Sequence, residues 1–517
     1  MAVELNNEVL LGTSGVTFAD VIAVARNNAR VIIAPGAVAA INASRKYIED
    51  YSAGGLPVYG VSTGFGALAN RHIEVKDRIQ LQKSLIRSHA AGMGPAVERE
   101  VVRALMFLRL RTMASGRTGV RNLLAQTYAD FLNAGLTPVV PEFGSLGCSG
   151  DLAPLAHCAL ALMGEGLVLD GQGHEVPALV AMIKAGIKPL ELEAKEGLAL
   201  INGTDGMLGM LIMACADLAA LCTVADVTAA MSIEGLLGTD RVFAPDLHAP
   251  LRPQVGQIAS AANIYALLKD SGIIASHREN DSRVQDAYSL RCAPQVNGAV
   301  RDTIEYAATI AGRELRSSID NPVVLPDGRV ESNGNFHGAP VGYVLDFLAI
   351  AAADLGSMSE RRTDRMLDQN RSAGLPPFLA HDPGVDSGLM IAQYTQAGLV
   401  SENKRLAVPA SVDSIPSSAM QEDHVSMGWS AARKLRKVVE NLTRILAIEL
   451  VCAARAIDLR VGLSSAPAIA NVVKELRIVV PGVGPDRWLS PELEAAVSLI
   501  HSGKITDAAR VVVPDLR

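Results

Sequence analysis

Cys148-Ser149-Gly150 is the point in this chain where the backbone itself can do chemistry. The surrounding run reads Phe143-Gly144-Ser145-Leu146-Gly147-Cys148-Ser149-Gly150-Asp151-Leu152-Ala153-Pro154-Leu155-Ala156-His157. The tripeptide is small and flexible, and no side chain shields the Gly150 amide nitrogen. That nitrogen can attack the Cys148 carbonyl and close a five-membered ring. Loss of one water there and a second from Ser149 leaves an exocyclic methylidene, so the product is an electrophilic methylidene-imidazolone. Two other readings fit the same residues. Asp151 followed by Leu152-Ala153-Pro154 is a helix start, with a capping carboxylate and a proline in the first turn. Cys148 near a helix N-terminus would have a lowered pKa and could act as a nucleophile with His157 as its base.

The remaining candidates are scattered. Tyr59 opens the glycine-rich Tyr59-Gly60-Val61-Ser62-Thr63-Gly64-Phe65-Gly66, where a tyrosine can serve as a structural anchor. Asn202, in Leu200-Ile201-Asn202-Gly203-Thr204-Asp205, is either a turn residue before a cap or a donor to developing negative charge. Gln285, Tyr288 and Arg291 are spaced three apart, so a helical turn would put them on one face. An arginine fork binds a carboxylate through two parallel hydrogen bonds; an ion-paired surface is the alternative. Phe336, in Asn333-Gly334-Asn335-Phe336-His337-Gly338, is core or the apolar wall of a pocket. His89 and Glu422 bear on what a pocket would hold. An imidazole offers one N–H donor and one nitrogen acceptor, which a carboxylate and a histidine match. A carboxylate against a benzene ring would be costly to bury. Glu422 and His424 can also cap the long helix that follows.

The run Gly144 to His157 resembles the signature of the aromatic amino acid ammonia-lyases, whose prosthetic group forms by the cyclisation just described. The usual family tripeptide is Ala-Ser-Gly; here Cys148 stands first, contributes only its carbonyl carbon to the ring, and leaves a thiol beside it. The resemblance spans about residues 8 to 510. It implies a methylidene-imidazolone (MIO) made from Cys148, Ser149 and Gly150, with no external cofactor. It implies that Tyr59 is the catalytic base, whose phenol the site must adjust from a free pKa of roughly 10. It further implies that Asn202 stabilises the electrophile's charge, that Arg291 holds the substrate carboxylate with Gln285 and Tyr288 completing the site, and that Phe336 is a pocket wall. In the family, residues from three subunits of a homotetramer meet at each active site. The run Gln421-Glu422-Asp423-His424-Val425-Ser426-Met427-Gly428 is similar to the version in members acting on histidine. Phenylalanine and tyrosine members tend to carry apolar or phenol-directed residues in place of His89, and Gln in place of Glu422. The expected reaction is elimination of ammonia from L-histidine to give trans-urocanate, the first step of histidine degradation. The alternatives are a phenylalanine or tyrosine lyase, an aminomutase, and, outside the family, a cysteine hydrolase using Cys148.

Residues so far apart in sequence need a frame to bring them together. Of 517 residues 49% are hydrophobic but only 4% aromatic, a composition favouring long helices packed through small side chains. Helical periodicity predicts helices over 18–31, 37–51, 78–89, 98–115 and 121–133, and a small hairpin over 166–176. Longer helices are predicted near 204–236, 297–316, 337–368, 386–403 and 424–460. The expected fold is mainly α: an N-terminal globular domain, 1–203, carrying the tripeptide, then a long-helix bundle with shorter C-terminal elements, 204–517. The resemblance implies the same, with an architecture like that of the fumarase and aspartase type lyases, whose Gly-Ser-Ser-x-Met-Pro-x-Lys loop is absent here. A net charge of −7 gives no footprint for nucleic acid. Six cysteines form no disulfide framework, and ten histidines show no metal-ligand spacing. The most apolar stretch, Met207 to Met231, is interrupted by Asp217 and Asp226, which fits a buried bundle helix and no membrane span. A cytoplasmic enzyme without metal, membrane or nucleic-acid partner is expected.

Overall fold

In the structure, a computed structural model describing residues 7–53, 63–64, 73–279, 281 and 283–517, the predicted periodicity becomes a mainly α architecture. The long helices run Asp205–Gly235, Ala293–Glu314, Ala339–Leu367, Met390–Leu406 and Gly428–Asp458. The predicted helix over 18–31 is shorter, Phe18–Arg26. A capping box starts it: Thr17 Oγ1 accepts from Asp20 N–H, and Asp20 accepts from Thr17 N–H. It stops because Asn28 adopts a left-handed φ of 55°, after which Arg30–Ile33 pairs in parallel with Glu8–Leu11. The hydrophobic run Val31-Ile32-Ile33 therefore serves a strand; short apolar runs suit either element, and strand pairing decides it.

The chain packs as two compact units, each assembled from separated stretches: 1–213, 308–345 and 409–433 form the first, and 214–307, 346–408 and 434–517 the second. All described strands lie in the first unit. Besides the parallel pair, Met93–Ala96 lies antiparallel to Pro141–Phe143, and Leu167–Leu169 lies between Thr137–Pro138 and Glu175–Pro177, while Val323–Val324 pairs with Val330–Glu331. The core of this unit is the helix Arg99–Ala114, buried at every residue from Val101 to Ala114, including Arg103, Arg109 and Arg111. Their guanidinium groups are answered by carbonyls: Arg103 donates to Val24 and Leu132, Arg109 to Asn202 and Ile319, Arg111 to Leu315 and Ser317. Buried charges in an apolar helix thus tie distant loops to one rod.

Among its described residues the second unit is built of helices and loops without a strand, and it is held by buried polar knots as well as apolar packing. Fully buried Glu449 accepts from Thr228, Ser232, Ser359 and Arg362, joining three long helices. Asp226, predicted to interrupt the apolar stretch, is likewise buried, accepting from Ser260, Asn263, Asn297 and Arg301. The helices Asp205–Gly235 and Ala339–Leu367 are long and apolar enough to cross a membrane, but 78% and 61% of their apolar windows are buried inside the protein.

Candidate active site

Glycine geometry shapes the turn that carries the tripeptide. Gly147 and Gly150 have φ of +66° and +77°, a region side chains rarely adopt. A Cβ on Gly150 would collide with the backbone of Gly203, because the two residues form a parallel bridge and Asp151 N–H donates to Gly203 O at 2.7 Å. Ahead of the tripeptide, Gly147 O accepts from Ser426 Oγ at 2.8 Å, and Leu146 O accepts from Met427 N–H at 2.9 Å. Cys148-Ser149-Gly150 is thereby stapled at both ends.

Asp151 makes no side-chain cap on its own helix, Leu152–Leu162. Its buried carboxylate reaches instead to the first turn of Asp205–Gly235, accepting from Gly206 N–H and Met207 N–H at 2.9 Å each, while Ser145 Oγ donates to its other oxygen. The expected cap is real but belongs to another helix, and it anchors the turn to that helix's positive end. Burial, opposed by these donors, pushes the Asp151 carboxyl up to about 7.

The thiol environment contradicts the cysteine-nucleophile reading. Cys148 is buried, and burial first, then the neighbouring Glu422 carboxylate, pushes its pKa up to about 12. A neutral thiol at neutral pH is not a nucleophile. His157, the base of that reading, accepts from Gly92 N–H through Nε2 at 3.1 Å.

Around the turn stand several of the sequence-derived candidates. Ser149 Oγ donates to Glu422 Oε1 at 3.3 Å, across 273 residues of sequence. The other Glu422 oxygen accepts from Ser417 Oγ at 3.1 Å, and the backbones of Ser417 and Glu422 bond to each other. The loop these bonds close is strained, with Ser418, Ala419 and Met420 at φ of 51°, 51° and 69°. His89 ends the helix Arg78–His89, its Nδ1 2.9 Å from Leu85 O. A carbonyl only accepts, so Nδ1 carries the ring proton and Nε2 is left as an acceptor. Burial holds the His89 pKa below its ordinary value, against the raising effects of Leu85 O and Glu422. Asn202 is buried beside Gly203; its Nδ2 donates to Asn321 O at 2.9 Å, and its Oδ1 has no partner among the described residues. Phe336 is half-buried in the turn before Ala339–Leu367.

The other candidates belong to the second unit. The helical turn there is only Tyr288–Arg291, so exposed Gln285 lies outside it and the predicted three-residue face is not formed. Arg291 sits over the Tyr288 ring at 4.6 Å, and its Nε donates to Asp286 O. Tyr288 is 71% exposed. Tyr59 lies outside the described residues, as does its glycine-rich loop apart from Thr63 and Gly64.

Several supporting residues had little sequence signal. Ser417 and Asn321 are common loop residues. Arg109, which holds the Asn202 carbonyl, was legible as a charge inside an apolar helix.

The residues present suit a methylidene-imidazolone. The tripeptide sits in a turn with left-handed φ at Gly147 and Gly150, and at 150 any Cβ would strike the Gly203 backbone, so the chain there is held close without a side chain in the way. Comparisons with known proteins show the family. The sequence profile of the family described as aromatic amino acid lyase matches residues 16–478. Histidine ammonia-lyases of Streptomyces avermitilis and Streptomyces griseus are 66% identical to this chain over 509 and 511 residues, covering 98% of it and 99% of each of them. Among solved structures, histidine ammonia-lyase from Trypanosoma cruzi superposes with a TM-score of 0.90 at 39% identity, covering 98% of this chain and 95% of that one. Tyrosine aminomutase from Streptomyces globisporus gives 0.92 at 38% identity, covering 97% and 98%.

Proposed function

The chain belongs to the aromatic amino acid lyase family and is a carbon–nitrogen lyase, and from that premise we propose that it converts L-histidine to trans-urocanate and ammonia. Relatives named histidine ammonia-lyase at 66% identity over nearly the full chain support this reading. The single structural observation that carries the substrate choice is Glu422, whose Oε1 accepts from Ser149 Oγ and whose charge reaches His89. A carboxylate can accept the N–H that an imidazole ring offers, and a carbocycle would leave that carboxylate unpaired.

The electrophile is taken to be the methylidene-imidazolone of Cys148, Ser149 and Gly150, which supplies a carbon that captures the substrate amine and makes it a better leaving group. Ser149 surrenders its hydroxyl in forming that group, so Glu422 Oε1 loses this donor and is freed toward substrate. Tyr59 is assigned the removal of the β-proton, Arg291 the grip on the carboxylate with Gln285 and Tyr288 beside it, Asn202 a hydrogen bond to developing negative charge, and Phe336 an apolar wall. High exposure of Tyr288 and Gln285 on the single chain supports a homotetramer in which subunits complete one another's sites. A cytoplasmic location accords with six free cysteines.

The test is ultraviolet absorbance of the purified enzyme with L-histidine, L-phenylalanine and L-tyrosine in parallel. Urocanate from histidine alone is expected. In Glu422→Gln the histidine kcat/KM should fall about ten- to a hundredfold with the electrophile intact. Product from phenylalanine or tyrosine instead, or unchanged histidine kinetics in Glu422→Gln, would overturn the substrate assignment.

A further inference from the structure

Two histidines that neither the proposed catalytic steps nor the substrate contacts use are hydrogen-bonded to each other beside both substrate-side segments. His337 follows Phe336, and His424 lies two residues beyond Glu422. Their rings lie within 22° of parallel with centroids 5.2 Å apart, and His337 Nε2 is 3.1 Å from His424 Nδ1. Ala339 N–H, at the start of the helix Ala339–Leu367, donates to His337 Nδ1 at 3.4 Å. That backbone donor fixes the direction of the pair: His337 carries its proton on Nε2 and donates to His424 Nδ1. The link therefore runs from a rigid helix start to the exit of the strained Ser417–Met427 loop.

That loop needs outside anchors. Its left-handed residues Ser418, Ala419 and Met420 are enclosed by the mutual backbone bonds of Ser417 and Glu422, and Met427 is left-handed as well at φ 52°. Conformations of this kind persist only where the surroundings over-determine them. At the exit, Val425 N–H donates to Ser414 Oγ, and Ser426 Oγ ties to Gly147 O. Asp423 and His424 lie between Glu422 and these anchors, and His424 is tied to the segment bearing Phe336.

We propose that the His337–His424 hydrogen bond is a positioning element for Glu422: it sets the distance between the carboxylate and the Phe336 wall, and so tunes the site toward a substrate ring that offers an N–H over a carbocycle of the same size. The inference rests on the reading of Glu422 as a substrate-ring contact. Both histidines act through Glu422 and touch no reacting atom.

His337→Phe keeps a ring and removes the donor. His337→Gln restores both halves of the link, since its Oε1 can accept from Ala339 N–H and its Nε2 can donate to His424. With electrophile absorbance and tetramer elution unchanged, His337→Phe should raise the histidine KM about tenfold with little change in kcat. Inhibition of histidine turnover by phenylalanine should keep its strength, so the preference for histidine over phenylalanine falls. His337→Gln should recover most of the loss, and His337→Phe/His424→Phe should be no worse than the poorer single variant, because both remove one bond. Wild-type KM in His337→Phe, equal damage from Phe and Gln, or additive losses in the double variant would each overturn the positioning role. Glu422→Gln separates this from the substrate reading. If it impairs histidine turnover while His337→Phe does not, positioning alone fails. If Glu422→Gln is silent, the substrate reading fails and the positioning role with it.

Discussion

The turn that carries the tripeptide and the segment 285–291 are built in opposite ways. Gly147 to Asp151 is buried or half-buried, stapled by Ser426, Met427 and Gly203, and capped onto another helix through Asp151. Segment 285–291 consists of one helical turn, an arginine resting on an exposed tyrosine, and Gln285 and Val284 open at the surface. If the first region makes a covalent group from its own backbone, as proposed, its geometry must be complete within one chain before any substrate arrives. The second is proposed to grip a carboxylate that every amino acid substrate carries, a task that would tolerate adjustment and completion by a neighbouring subunit. Preorganisation is concentrated where bonds change, and adaptability is left where a substrate is merely held.

The largest effect should come from breaking the preorganised side at its one irreplaceable atom. Ser149→Ala cannot lose water to form the methylidene, so turnover should fall by more than about a thousandfold and the near-ultraviolet absorbance of the electrophile should vanish. Cys148→Ala should keep both, because position 148 lends the ring only a carbonyl carbon and its buried thiol is neutral. Loss of activity in Cys148→Ala would revive the thiol as a participant. The adaptable side should fail more gently. Arg291→Met is expected to raise KM about a hundredfold while leaving the electrophile absorbance unchanged, and Arg291→Lys should rescue little, since lysine lacks the planar fork. Unchanged KM in Arg291→Met would remove that segment from the site.

A subtler distinction lies in pH. His89 is held below the ordinary imidazole value chiefly by burial, so it takes up its proton at a lower pH than a free imidazole does. Protonation would remove the Nε2 acceptor. The wild-type kcat/KM profile should therefore carry one more acid-side ionisation than that of His89→Gln, beyond the substrate's own. Identical profiles would show that His89 does not meet substrate. A last effect concerns stability. Burial raises the Asp151 carboxyl from 3.8 to about 7. The folded state then binds more protons than the unfolded state between those values, so stability falls as pH rises through that window, by up to about 1.4 kcal/mol per pH unit. Asp151→Asn, which can still accept from the helix and donate to Ser145, should flatten that slope in thermal melts taken from pH 4 to 7. An unchanged slope would mean that Asp151 is ionised throughout.

Helix existence and length were legible because apolar side chains recur at the helical period over long stretches: the prediction of 204–236 lies within a residue of Asp205–Gly235, and 78–89 coincides with Arg78–His89. The run 18–31 misled because Val31-Ile32-Ile33 is apolar in any element, and only pairing with Glu8–Leu11 makes it a strand. At the site, the tripeptide and the imidazole-matching pair of His89 and Glu422 could be read from residue types, since cyclisation and hydrogen-bond matching are local chemistry. By itself, then, the sequence determined which groups are available: a tripeptide able to cyclise, an arginine fork, a carboxylate and an imidazole. The tertiary structure alone decided what those groups are. Whether Cys148 is thiolate or thiol depends on burial, which end of which helix Asp151 caps depends on where Asp205–Gly235 begins in space, and Ser149 meets Glu422 only because the chain returns after 273 residues. Solvation and long-range contacts are properties of the folded arrangement, and no spacing along the chain encodes them.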